Sequence, residues 1–269
     1  MRKTLLLALL SAAALLASCG GSGASKESAA KPRVLCHRGL CSTGTEFTTD
    51  ENTLDALRRA QEKGVDGVEF DVHLTADGEL VIRHDAKIAP GLHTQKSNFD
   101  DIRAYTLPFG NKIPTLHEWL VQAKETPDIL MFLEIKSMAT QERENELVAR
   151  CIEEVRSLGM SDQMYYLSFK PATCDEVLRL DPEARVLLNS SSLHHSLPPA
   201  EVAARGYSAA SYSVEVFLNH PEWVKEFREL GIETFFWMVD SPYLRDIAEK
   251  LGVDWITTDF HDVIGYGKK

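Results

Sequence analysis

Val65-Asp66-Gly67-Val68-Glu69-Phe70-Asp71-Val72-His73-Leu74, followed by Thr75-Ala76-Asp77-Gly78 and Glu79-Leu80-Val81-Ile82-Arg83, is the stretch that decides how this chain folds. The first ten residues read as a strand, where side chains at i and i+2 share a face. Val68, Phe70 and Val72 therefore point one way, and Glu69, Asp71 and His73 the other. The apolar face is expected to pack under helices. The acidic face is expected to look into a barrel interior, near the C-terminal ends of its strands. Asp77-Gly78 is a hairpin signal, so Glu79–Arg83 returns as a second, added arm.

Reading outward, strands alternate with helices. Arg33–His37 is a short strand, and Asp50 is placed to cap a helix over Glu51–Lys63 that Gly64 stops. Residues 86–113 read as irregular, with one short helix near Asp100–Tyr105. Helices are expected at Pro114–Lys124, Glu144–Leu158, Ala172–Leu180, Pro199–Ala204, Pro221–Leu230 and Pro242–Leu251. Strands are expected at Ile129–Lys136, Gln163–Phe169, Ala184–Asn189, Ala209–Val216, Ile232–Val239 and Val253–Thr258. Several helices end in Gly, and the alternation implies parallel βα units. Eight main strands result once Glu79–Arg83 is set aside as a hairpin arm. The fold class is α/β, a (β/α)8 TIM barrel with a small hairpin and loop addition after the second strand.

The N-terminus stands outside that fold. Arg2 and Lys3 precede a mostly apolar run from Leu5 to Ala17, too short to span a bilayer as a helix, which reads as a secretory signal. It ends in Leu16-Ala17-Ser18-Cys19, which resembles a bacterial lipobox with Cys19 as the lipidated first mature residue. The alternative is an ordinary cleaved signal that contains a cysteine. Residues 1–18 are thus expected to be a lipoprotein signal peptide and 19–30 a flexible tether. The barrel domain takes 31–269, and those 239 residues are close to the ~250 usual for this fold. The expected location is the periplasmic or cell-surface side of a bacterial membrane, held by a lipid anchor. A net charge of -11 argues against nucleic acid as a partner, which calls for a basic face. Five cysteines cannot all pair internally. Cys36 and Cys41 are left open as a pair, and Cys151 and Cys174 read as small apolar helix residues. Composition leaves the oligomeric state undecided.

Charged and polar residues collect at strand ends. Two carboxylates on one buried face are costly without a cation between them, and oxygen ligands suit Ca²⁺ or Mg²⁺. Glu134-Ile135-Lys136 repeats the spacing, adding a third carboxylate beside an ammonium; a plain ion pair is the alternative reading. His37-Arg38-Gly39 ends the first strand, and His84-Asp85 ends the hairpin arm. An Arg fork suits phosphate oxygens, and two histidines near one phosphorus suit acid–base work at neutral pH. In a barrel, the C-terminal strand ends form the active-site face.

These residues resemble the glycerophosphodiester phosphodiesterase family, among the phospholipase-C-like barrels. The likeness runs in order through His37-Arg38-Gly39, Glu51-Asn52-Thr53, Glu69-x-Asp71-x-x-x-Thr75-x-Asp77-Gly78, His84-Asp85, Ile113-Pro114-Thr115-Leu116 and Glu134-x-Lys136. Weaker landmarks follow at Ser168-Phe169, Trp237, Gly252-Val253-Asp254 and Thr258-Asp259. The resemblance implies that Glu69, Asp71 and Glu134 hold one divalent ion, that His37 and His84 are the acid–base pair, and that Arg38 and Lys136 bind phosphate. Glu51 and Asn52 would support the cluster, and Trp237 would wall the substrate pocket or, on the alternative reading, fill the core. It further implies hydrolysis of a small glycerophosphodiester to glycerol 3-phosphate and an alcohol. Which His is acid, and whether water or the substrate's own hydroxyl attacks, stay open. Two alternatives keep the fold: action on lysophospholipids or glycerol-phosphate polymers, and a catalytically silent lipoprotein that binds phosphorylated ligands. The segment Ala86–Gln95 departs from many relatives and is expected to border the pocket. His73 is expected behind the ligands or in solvent, and His194-His195 in an exposed loop.

Overall fold

The computed structural model describes residues 31–265. The expected signal peptide over 1–18 and the expected tether over 19–30, with Cys19, lie outside these. The chain runs β1 (Arg33–Cys36), β2 (Ser42–Thr43), β3 (Glu46–Phe47), α1 (Leu54–Lys63), β4 (Gly67–Leu74), β5 (Leu80–Ile82), β6 (Lys87–Ala89) and β7 (Leu92–His93). It continues through α2 (Phe99–Ala104), α3 (Leu116–Ala123), β8 (Leu130–Ile135), α4 (Gln141–Ser157), β9 (Met164–Ser168), α5 (Pro171–Leu180), β10 (Arg185–Ser190) and α6 (Pro199–Ala204). The last elements are β11 (Ala209–Ser213), α7 (Val214–Asn219), α8 (Glu222–Glu229), β12 (Glu233–Trp237), α9 (Pro242–Leu251), β13 (Trp255–Thr258) and α10 (His261–Ile264).

Eight parallel strands, β1, β4 and β8 to β13, close into a barrel because β1 pairs with both β13 and β4. β5 lies antiparallel on the far half of β4, beyond the point where the shorter β1 ends. That is the expected hairpin arm.

Strand parity divides the core in two. Outward residues such as Val68, Phe70, Val72, Leu133 and Ile256 pack with helix residues Leu57, Trp119 and Leu147 in the layer between sheet and helices. Inward residues Phe132, Tyr165, Phe235 and Trp255 fill the lower barrel, with Phe235 stacked on Trp255 at 5.2 Å. The apolar plug closes one end, so polar inward residues gather at the other.

Several boundaries differ from the sequence reading. Helix α1 begins at Leu54 and is capped by Thr53. Asp50 instead accepts the backbone N–H groups of Phe109 and Asn111, tying down a distant loop. The stretch read as irregular holds the β6–β7 hairpin. The strand expected to reach Val216 stops at Ser213, where α7 begins. Short apolar runs look alike in strand and helix, so packing decides them.

Candidate active site

β4 and β8 lie side by side, with Asp71 opposite Glu134. Their inward carboxylates, with Glu69, offer oxygens that all lie within 4.8 Å of one another. All three are buried. Lys136 Nζ reaches Asp71 Oδ1 at 2.7 Å and Glu134 Oε1 at 2.5 Å. Asn52 clasps Asp71 twice: its amide donates to Asp71 Oδ2 at 2.7 Å, and its carbonyl oxygen accepts the Asp71 N–H at 3.0 Å. Burial pushes Glu69 and Glu134 above the ordinary carboxylate range, reinforced by the Asp71 charge. Asp71 is held low, at about 2, although burial opposes this, because the Lys136, His84 and Arg38 charges prevail. Glu69 Oε1 is buried and accepts no hydrogen bond. Three carboxylates with one unpartnered buried oxygen fit a hard divalent cation.

The β1–α1 connection brings a cation and a backbone donor to this cluster. Arg38 takes a left-handed conformation, φ 58°, and Gly39 follows at φ 87°. The Arg38 N–H then donates to Glu69 Oε2 at 2.9 Å, while its guanidinium donates to Glu51 Oε2 at 2.8 Å. A Cβ on Gly39 would stand 2.7 Å from that of Ala56, so only glycine lets the loop lie against α1.

Each predicted histidine has a carboxylate behind it. His37 Nδ1 donates to Asp259 at 2.7 Å, and His84 Nδ1 to Asp85 at 2.8 Å. Burial pulls His37 down, but Asp259 and Glu69 together outweigh that and raise it to about 8. Burial lowers His84. His37, His84, Arg38, Glu69 and Glu134 open onto one cavity of about 280 Å³, walled by Phe169, Trp237 and Met238 and floored by Leu35, Leu167 and Leu187.

The model of the glycerophosphoryl diester phosphodiesterase family matches residues 37–263. The chain belongs to that family. It is 29% identical over 243 residues to a glycerophosphodiester phosphodiesterase of Caldanaerobacter subterraneus subsp. tengcongensis, covering 85% of this chain and 94% of that one. A crystal structure of a glycerophosphodiester phosphodiesterase from Parabacteroides distasonis is 34% identical, with a TM-score of 0.80 over 86% of this chain and 94% of that one. An Oleispira antarctica phosphodiesterase, in complex with the product sn-glycerol-3-phosphate, shares the fold at 22% identity, with a TM-score of 0.75 over 87% of this chain and 95% of that one.

Family membership makes the protein a phosphoric diester hydrolase that acts on glycerophosphodiesters. The phosphodiesterase brings the predicted site residues of the barrel to one end: His37, Arg38, Glu51, Asn52, Glu69, Asp71, His84, Glu134, Lys136 and Trp237, while Cys19 lies outside the described residues. Ala86–Gln95 is not among the cavity-lining residues. It backs His84 instead. Gln95 donates to His73 Nδ1 at 3.3 Å, and His73 Nε2 donates to the His84 carbonyl at 3.1 Å. His73 is therefore buried behind the site, and burial lowers it to about 4. His194 and His195 lie in an exposed loop. Cys36, Cys41, Cys151 and Cys174 are buried free thiols. In the sequence Thr258-Asp259 is a landmark alone, and nothing there assigns Asp259 a role. Its contact with His37 spans 222 residues, and adjacency of β13 to β1 makes it.

Proposed function

We propose that the protein is a metal-dependent glycerophosphodiester phosphodiesterase working by histidine acid–base catalysis and held at a bacterial membrane by a lipid anchor. The carrying observation is that two carboxylate-backed histidines face one cavity together with Glu69 and Glu134, which cluster with the buried Asp71. Glu69, Asp71 and Glu134 would hold one Ca²⁺ or Mg²⁺, which when bound would polarise the phosphoryl group and offset its negative charge. Arg38 and Lys136 draw the remaining phosphate oxygens, and Glu51 and Asn52 hold Arg38 and Asp71 in place. One histidine removes the proton of the attacking hydroxyl and the other returns a proton to the departing alkoxide. Asp259 and Asp85 keep each ring's Nδ1 as the donor and leave Nε2 for the proton transfer. Trp237 and Phe169, edge to face at 5.9 Å, shield the reacting centre from bulk water.

The anchor reading rests on Leu16-Ala17-Ser18-Cys19 and the Gly- and Ser-rich residues after it. The substrate expected beside such an anchor is a small soluble diester. The test is hydrolysis of glycerophosphocholine by the purified protein, followed as released glycerol 3-phosphate. Activity lost to a chelator and restored by Ca²⁺ or Mg²⁺ supports the reading. Full turnover in protein shown by elemental analysis to hold no metal overturns it.

A further inference from the structure

The cavity has a second polar wall that the metal, acid–base and phosphate groups leave unused. Asn189 on β10 and Ser211 on β11 are register partners, and both point inward, one inward step beyond Leu187 and Ala209. They lie across the barrel from the carboxylates, since β11 is the fourth strand round from β4. Asn189 is 8% exposed, lines the cavity, and its side-chain Oδ1 accepts no hydrogen bond. A buried acceptor left unpaired is costly, so a native structure that keeps one calls for a partner. The Ser211 carbonyl meanwhile accepts the Trp237 indole N–H at 2.9 Å, fixing the ring as a flat apolar face beside this wall.

We infer that Asn189, with Ser211 and Trp237, forms a hydroxyl-reading subsite for the glycerol half of the diester. This rests on the phosphodiesterase reading above. The phosphate must sit against the carboxylates and histidines, so the glycerol chain extends across the barrel toward β10 and β11. The hydroxyl that reaches Asn189 is the terminal one, farthest from the phosphate ester. It donates to Asn189 Oδ1, and the carbon chain lies against the Trp237 ring. A site that pairs a substrate hydroxyl rejects the analogue lacking it, because the buried acceptor is then stranded. The other alcohol of the diester projects toward the open mouth, past Phe169 and Met238.

The test compares two p-nitrophenyl phosphodiesters, one of glycerol and one of propane-1,2-diol. The second lacks the terminal hydroxyl and keeps the hydroxyl beside the ester. Wild-type protein is expected to favour the glycerol ester by ~10- to 100-fold in kcat/KM, the range for stranding one buried neutral acceptor. Asn189→Leu is expected to bring that ratio near one, and Asn189→Ser, a smaller change at the same position, to lower it. Calorimetric binding of sn-glycerol 3-phosphate and of propane-1,2-diol 1-phosphate makes the same comparison without turnover. A ratio near one in the wild type, or a ratio the variants do not move, overturns the subsite. Hydrolysis of neither ester overturns the phosphodiesterase reading, and the binding comparison then still decides whether Asn189 reads the hydroxyl.

Discussion

At the scale of single residues, Glu69, Asp71 and Glu134 do different work despite similar chemistry. Asp71 is pinned by Asn52 and Lys136, whereas Glu69 keeps a buried oxygen with no partner. Glu69→Gln, Asp71→Asn and Glu134→Gln would each remove one anionic ligand from the proposed hard cation. Each is expected to weaken divalent-ion binding in titration calorimetry and to lower activity, with the circular dichroism spectrum retained. The histidines make a second prediction. His37→Ala and His84→Ala are expected to cost about 10²–10⁴ in kcat, the range for a positioned proton-transfer group. Whichever residue acts as acid should matter far less with a p-nitrophenol leaving group. Asp259→Asn, which leaves His37 in place but weakens its orientation, is expected to cost about 10- to 100-fold in activity. Equal losses for both histidines with good and poor leaving groups would refute the division of roles.

At the scale of elements, the turn from β1 into α1 assembles half of the site. It needs two left-handed non-glycine residues, Arg38 and Asn52, and a glycine between β1 and the helix. Such conformations cost of order 1–3 kcal/mol each and persist where surrounding contacts hold them. Here the contacts are the Arg38 N–H to Glu69 and the two Asn52 bonds to Asp71. Gly39→Ala is expected to destabilise the protein in urea unfolding by about 1–3 kcal/mol. It should also lower kcat, because the displaced loop carries Arg38 away from Glu69. Wild-type stability and activity in this variant would show that the loop yields without consequence. The glycine and the His37-Arg38 pair were legible in the sequence, but the left-handed turn at Asn52 was not. Any of Asp50, Asn52 and Thr53 suits a helix start, and only packing selects Thr53 over the expected Asp50.

At the scale of the whole molecule, the barrel interior is divided between an aromatic plug and a polar mouth. Below the plug, Glu233 accepts the Tyr165 hydroxyl at 2.6 Å and the Trp255 indole N–H at 3.3 Å. Burial, and then the Glu233 carboxylate, raise Tyr165 to about 12, against about 10 in an unfolded chain. The folded state thus holds the phenol proton more tightly. Its contribution to stability is complete below pH 10 and falls as pH rises from 10 toward 12. Chemical unfolding at a series of alkaline pH values is expected to show that decline, and Tyr165→Phe should make it shallower. An identical slope in the variant would rule Tyr165 out as its source. The proposed lipid anchor belongs to this scale as well. Cys19→Ser is expected to abolish both fatty-acid labelling and partitioning into the detergent phase in the native host, while activity of the released protein persists. A wild-type protein that stays soluble and unlabelled would refute the anchor without touching the enzyme.

What the sequence determined by itself was periodic and local. The two-residue alternation of Glu69, Asp71 and His73 against Val68, Phe70 and Val72 assigned the faces of β4, and the glycine-ended helices between apolar runs set the parallel barrel. Those signals survive in sequence because each needs only neighbours a few residues away. The tertiary structure alone decided which distant groups met. Closure of β1 onto β13 placed Asp259 behind His37, and the circuit of eight strands set Asn189 and Ser211 facing the carboxylates. It also turned His73 and Gln95 into a support for His84 and sent Asp50 to a loop instead of a helix end. Strand order and register set these contacts over separations of up to 222 residues. A polar residue at a strand end looks the same in sequence whether it faces solvent, a partner or a cavity, and only the closed barrel distinguishes them.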